Sequence, residues 1–327
     1  MLSPDPCLQR AMRAEKSEAT KDRLRHDRRN FNLNVLRHCL GLSSPQGASA
    51  SSAYFSSTLS YSAETFEDPV FVCLDTEGYI GSVREIGLTI LDSRNLNNPD
   101  NISDWSRVLE SHNYIVRKDL KAEASRPFNF GTSQRMNRRW SGWLLEKVLR
   151  TGSPDPARTE PRNVILVGDS IFYDLHGLAR TERGKLDFTS IPDVPVIDTA
   201  DLAYGVFKLQ PWLRPGLTEL IDWLEIESKG ITWHNAGNDA NATMKVMLML
   251  ALRSYEKLDL KDKDEDRANM LRHIVRASSP VSPMEIDCED YDKLKDQQVS
   301  DRMGDWVDAC EGGIDLENMV GELEIES

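Results

Sequence analysis

The segment Asp239–Tyr255 carries Ala242, Met244, Val246, Met247, Leu248, Leu250, Ala251 and Leu252, and reads as a helix too apolar to face water. A chain with such a helix must fold a layer over it. Directly before it stands His234-Asn235-Ala236-Gly237-Asn238-Asp239-Ala240, with a His and an Asp five positions apart where the helix begins. Ala236 and Gly237 are small enough for a ligand to come close. An Asp at a helix start is also favoured by the helix dipole, so this segment alone is equally a helix start or a site.

The covering layer is legible upstream. Val70–Leu74 is a short apolar run that reads as a buried strand and ends at Asp75-Thr76-Glu77. Gly78 and Gly81 mark a turn, and Glu85–Leu91 reads as a second, antiparallel strand. A short helix is expected over Asn101–Leu109 and a third strand over His112–Lys118. A helix is expected over Gln134–Leu149, with Trp140, Trp143, Leu144 and Val148 on its apolar side. Asn163–Val167, running into Gly168, is the clearest strand, and Phe172–Leu178 the helix after it. Val194–Asp198 reads as a further strand whose Asp198-Thr199 closes a turn, and Leu217–Leu224 as a helix. An antiparallel start followed by alternating strands and helices predicts an α/β fold, a mixed central sheet flanked by helices.

Residues 67–258 are the expected domain. Residues 1–66 are charged, with Leu24, Phe31, Leu33, Val35, Leu36 and Leu40 as a short amphipathic face, then Ser/Ala-rich, and read as a flexible N-terminal region. Residues 259–327 read as an acidic, largely disordered tail. The net charge of −13 is concentrated there: from Val281 onward 15 acidic residues face 3 basic ones, whereas residues 1–40 hold 9 basic and 5 acidic. The low pI therefore says little against nucleic-acid binding by the core. Five cysteines without a C-x-x-C pair argue against a zinc site or disulfide framework and for a reducing compartment. No apolar run approaches ~18 residues and no secretory signal core is present, so a nuclear or cytoplasmic protein without membrane contact is expected.

Chemistry enters with the carboxylates. Asp75 and Glu77 are two apart, hence on one face of a strand, where they repel unless a hard cation sits between them. Mg²⁺ and Mn²⁺ take such oxygen ligands. Asp174 stands in the first turn expected after the Asn163–Val167 strand. His234 can take a proton from an attacking water near neutral pH. Arg135-Met136-Asn137-Arg138-Arg139-Trp140-Ser141-Gly142-Trp143 interleaves basic and aromatic residues, and Arg138 and Arg139 are candidate phosphate contacts. The spacing of Trp140 and Trp143 instead favours core packing.

Asp75 and Glu77, then Asp174, then His234 with Asp239 resemble, in that order, the DEDDh family of 3′–5′ exonucleases in the ribonuclease-H-like superfamily. The likeness covers roughly residues 68–256. Phe128-Asn129-Phe130-Gly131-Thr132-Ser133 and the His234–Ala240 loop resemble most the fungal members that include a quelling-associated exonuclease and an mRNA-transport factor. At the second motif the chain departs: Asp169 follows Gly168 where many members have His. The resemblance implies two Mg²⁺ or Mn²⁺ ions. Asp75, Glu77 and Asp239 would hold the tighter one, and Asp75 with Asp174, largely through water, would support the second. It implies His234 as general base and a 3′-terminal nucleotide near Thr76, Gly78, Tyr79 and Asn235. The substrate would be single-stranded RNA or DNA, RNA being favoured, and a protein recruiter would act through a tail. The alternative is a catalytically weak nuclease-fold RNA-binding adaptor in RNA transport or silencing.

Overall fold

The computed structural model describes residues 33–42, 66–79, 82–97, 104–116, 126–138, 141–179, 194–210, 213–259 and 263–277. The Ser/Ala-rich stretch, the acidic end of the chain, Arg139 and Trp140 lie outside the described residues.

Six strands form one mixed sheet: β1 (Val70–Tyr79), β2 (Ser82–Asp92), β3 (Glu110–Val116), β4 (Gln134–Met136), β5 (Val164–Gly168) and β6 (Val196–Asp198), in the order β4-β3-β2-β1-β5-β6. β1 and β2 pair antiparallel, as do β2 and β3; β4 runs parallel to β3, β5 to β1, and β6 to β5. All strands but β2 therefore end at the same edge. The helices are α1 (Ser141–Thr151), α2 (Phe172–Ala179), α3 (Thr199–Phe207), α4 (Leu217–Trp223), α5 (Ala236–Glu256) and α6 (Glu265–Arg276). A mixed six-stranded sheet flanked by helices is the ribonuclease-H-like arrangement expected above.

Strand alternation splits the core in two. Phe71, Cys73, Leu91, Ile165, Val167 and Ile197 face a large cluster built with α3, α4, α5, α6 and the helical residues 33–39. Val70, Val72, Leu74, Leu88, Val164 and Leu166 face a smaller one built with α1 and α2. Met244, Val246, Met247, Leu248, Leu250, Ala251 and Leu252 of α5 are all fully buried, which follows from its apolar sequence. Leu36, Leu40 and Leu42 on one side of the 67–258 span, and Leu271 and Ile274 of α6 on the other, belong to the same cluster.

Two local expectations are corrected. Gln134–Met136 is a strand, not the start of a helix: it pairs with Tyr114–Val116 at the sheet edge, and the helix begins only at Ser141. Asp198-Thr199 does not close a turn. Asp198 accepts the backbone N–H of Ala200 at 3.0 Å and caps α3, whose buried face of Leu202, Ala203 and Val206 packs under the sheet. Among the described residues, Trp105–Arg107 forms one short 3₁₀ turn in the Asn101–Leu109 stretch.

Candidate active site

The site lies at the shared strand-end edge. Asp75 and Glu77 are the last alternating pair of β1 on the α5 side before a bulge between Glu77 and Gly78 shifts the register. Glu77 pairs in register with Glu85 of β2, and Asp75 with Gly87.

The first turn of α5 rests directly on β2. A Cβ on Gly87 would stand 1.9 Å from the carbonyl oxygen of Ala236, so no other residue admits the helix this close. Gly237 is equally constrained, between Asn113 and the ring of Phe128. Glu85 is buried at this junction. One of its oxygens accepts from the side-chain amides of Asn113 and Asn235, each at 3.3 Å, and from the backbone N–H of Ala236 at 3.4 Å. It thus sets a carboxyl group against the helix N-terminus, where burial pushes it above its ordinary value and the hydrogen bonds from Asn113 and Ala236 oppose that rise. Asn235 caps the helix by accepting the N–H of Asn238 at 3.1 Å. Asn238 in turn accepts the N–H of Asn129 at 2.8 Å and donates to the carbonyl of Pro127 at 2.9 Å. The Phe128–Ser133 segment and the His234–Ala240 loop, far apart in sequence, are therefore one hydrogen-bonded unit.

His234 precedes this turn with φ +61°, a left-handed conformation that a His reaches more readily than most residues. Its backbone N–H donates to Asp239 Oδ2 at 3.0 Å, while its side chain is 71% exposed with Nδ1 3.6 Å from Glu77 Oε1. One ligand atom each from Glu77, His234 and Asp239 lie within 4.8 Å of one another. Asp239 Oδ1 is buried and has no hydrogen-bond partner. A buried carboxylate oxygen without a donor is costly unless a cation meets it, so these residues fit a hard divalent ion.

Asp174 reaches the same edge from α2. Its Oδ1 accepts the backbone N–H of Thr76 at 2.9 Å and the Thr76 hydroxyl at 2.7 Å. The preceding turn is fixed by Ser170, whose N–H donates to Asp198 at 3.1 Å. Asp169 accepts the Thr199 hydroxyl at 2.7 Å.

The electrostatics join the two halves. Burial pushes the Asp75 carboxyl well above its ordinary value, with the charges of Asp174, Asp239, Glu77 and Asp169 adding to it. Asp239 is pushed up to about 7 by burial and then by Glu77. Asp174 is pushed up to about 6 by burial, against the two hydrogen bonds from Thr76. Three crowded acids that resist ionisation are what a cation would relieve.

Asp75, Glu77, Asp174, His234 and Asp239 are thus brought together. Thr76 is engaged with Asp174, Gly78 is exposed at the bulge, and Tyr79 ends β1. The Asn235 side chain is fully buried, turned into the loop that supports the site. Arg138 lies just past β4, on the same edge three strands away, roughly 14 Å by strand spacing. Sequence reasoning missed Glu85 and Asn113. The available signal was an acid in an otherwise apolar strand, opposite Glu77 in a hairpin.

Residues 70–250 match the family described as "DNA polymerase III subunit epsilon-like, C-terminal domain", the DEDDh_C family. The chain belongs to this family, and is a nuclease of the DEDDh 3′–5′ exonuclease class, which uses divalent metals and acts on nucleic acid. None of the curated proteins matches it. Among solved structures it is similar to Exonuclease X in complex with 5′ overhanging duplex DNA, at 15% identity, covering 62% of this chain and 99% of that one, with a TM-score of 0.29. No helix among the described residues is long and apolar enough to cross a membrane.

Proposed function

We propose that the protein removes nucleotides from the 3′ end of single-stranded nucleic acid, RNA in preference to DNA, with two divalent cations and His234 as general base. The observation that carries this reading is the convergence of Glu77, His234 and Asp239 around a buried, unpartnered carboxylate oxygen.

Asp75, Glu77 and Asp239 would hold one cation, and Asp75 with Asp174 the other, the latter largely through water. Divalent cations there supply Lewis acidity, which strengthens an attacking water and stabilises the leaving oxygen. The protein's own residues do the rest. The exposed His234 imidazole would take the proton of an incoming water, and the Glu77 carboxylate 3.6 Å from its Nδ1 would stabilise the imidazolium that results. Thr76 holds Asp174 in one orientation, so the second half of the site needs no rearrangement when substrate arrives. The strand end at Gly78-Tyr79 flanks the terminal nucleotide, and Arg138 and Arg139 contact phosphates further along. The likeness of Phe128–Ser133 to the quelling-associated exonuclease supports RNA over DNA.

The test is degradation of 5′-labelled single-stranded RNA and its DNA counterpart with Mg²⁺, Mn²⁺ or chelator. Asp75→Ala and His234→Ala are run beside the wild type. A ladder shortening from the 3′ end, lost in chelator and in both variants, is expected. A second reading, a nuclease-fold RNA-binding adaptor, is favoured by Asp169 in place of the usual His. RNA binding without cleavage in wild type, unchanged by Asp75→Ala, would select it.

A further inference from the structure

Phe172 and Tyr173 are the two most exposed large apolar side chains among the described residues, at 71% and 66%. They occupy the first turn of α2, directly before Asp174, which Thr76 fixes to the end of β1. The apolar side of this helix already has its core: Ile171, Leu175 and Leu178 pack with α1 on the sheet face opposite α5. The aromatic pair faces the other way. The Phe172 ring lies nearly parallel to that of His176 one turn on, at 13° and 5.9 Å between centroids, and edge-on to Tyr173 at 76° and 6.5 Å.

We propose that Phe172 and Tyr173, backed by His176, form a stacking platform for the unpaired bases of the strand whose 3′ end enters the site. This rests on the function proposed above. The rings stand on the same helical turn as Asp174, which Thr76 ties to the end of β1, so the patch lies beside the proposed site. Every base presents a π-face, so an aromatic surface holds a strand without reading its sequence. A folded protein partner fits less well. Two aromatic side chains bury about 300–500 Å² between them, well below the ~800 Å² per partner of a stable interface. The polar Asp174 and His176 flank them, where an interface core is depleted of charge.

The experiment measures binding of an oligouridylate with phosphorothioate linkages at its 3′ end, in Mg²⁺, by fluorescence anisotropy. A matched strand carries abasic residues upstream of the 3′ nucleotide. The double variant Phe172→Leu with Tyr173→Leu keeps apolar bulk and helix propensity but removes the rings. Phe172→Tyr with Tyr173→Phe keeps both rings. The leucine variant should bind the base-bearing strand about tenfold more weakly or worse. The ring-keeping variant should match wild type, and the abasic strand should bind all three proteins alike. Three results overturn the platform: a leucine variant that holds the base-bearing strand as tightly as wild type, equal losses on both strands, or a loss in the ring-keeping variant. A wild type that binds neither strand and leaves no 3′ ladder sinks the parent reading as well. A wild type that cleaves while the leucine variant binds normally sinks the platform alone.

Discussion

Asp239 and Asp174 reach one edge of the sheet by the same device, the first turn of a helix, but their supports differ. Asp239 heads a 21-residue buried helix whose N-terminus is seated by Gly87, Glu85, Asn113 and Asn129, from three separate stretches of chain. Its free oxygen is enclosed and unpartnered. Asp174 heads an 8-residue helix with an aromatic face in solvent, and Thr76 alone supplies both hydrogen bonds the structure gives its Oδ1. The first half is preorganised by packing; the second is a carboxylate held by two donors on one neighbour. Under the proposed function the tighter cation belongs with the first, and the second supports the other largely through water.

That contrast can be broken by substitution. Asp239→Asn should lower turnover on the order of 10³-fold or more, Asp174→Asn by on the order of 10²-fold, in single-turnover assays at saturating Mg²⁺. Equal losses would erase the distinction between the two halves. Glu85→Ala leaves three donors at the α5 N-terminus without their acceptor, and should weaken Mn²⁺ binding and turnover about 10–100-fold with the fold retained by circular dichroism. Glu85→Gln keeps an acceptor there and should recover most of the loss. A Gln variant as impaired as the Ala variant would show that charge, not seating, is what Glu85 supplies. Thr76→Val removes only the hydroxyl donor, because the backbone N–H still reaches Asp174. A loss of about tenfold or less in turnover, with Mn²⁺ affinity near wild type, is expected. A fall in Mn²⁺ affinity matching that of Glu85→Ala would place Asp174 on the tight site.

The smallest effect is on stability. Asp239 and Asp174 titrate at about 7 and about 6 in the folded protein, above the ordinary carboxylate value they would have unfolded. The folded state therefore binds more protons across this window. Its stability is fully present below the unfolded value and is lost as pH rises through 6 and 7. Without divalent ions, Tm should fall by several degrees between pH 5.5 and 8, saturating Mg²⁺ should restore much of it at pH 8, and Asp239→Asn should flatten the slope. A wild-type Tm that fell no more steeply than that of Asp239→Asn would remove the crowded acids as its source.

How much of this was legible follows from the range of each interaction. The buried α5, the β1–β2 hairpin and the strand leading into Asp174 all announce themselves by local apolar pattern. Asp75 and Glu77 share a face because the side-chain period of a strand is two, and the family resemblance added their partners. Gln134–Met136 misled because three residues carry no period of their own, and only pairing with Tyr114–Val116 makes them a strand. Asp198 looked like the end of a turn because capping is decided by the helix that follows it. Glu85 was legible only as an acid in an apolar strand: its role depends on Asn113, Asn235 and Ala236, which the sheet and α5 bring to it.

The sequence by itself determined which residues are acidic, where apolar helices and strands run, and in what order the motifs come, because these depend on neighbours along the chain. Only the tertiary structure decided which oxygen of Asp239 stays unpartnered, that Thr76 orients Asp174, and that the aromatic rings of α2 face solvent. Those properties depend on burial and on contacts between residues far apart in the chain, 98 positions for Thr76 and Asp174, and no local pattern encodes them.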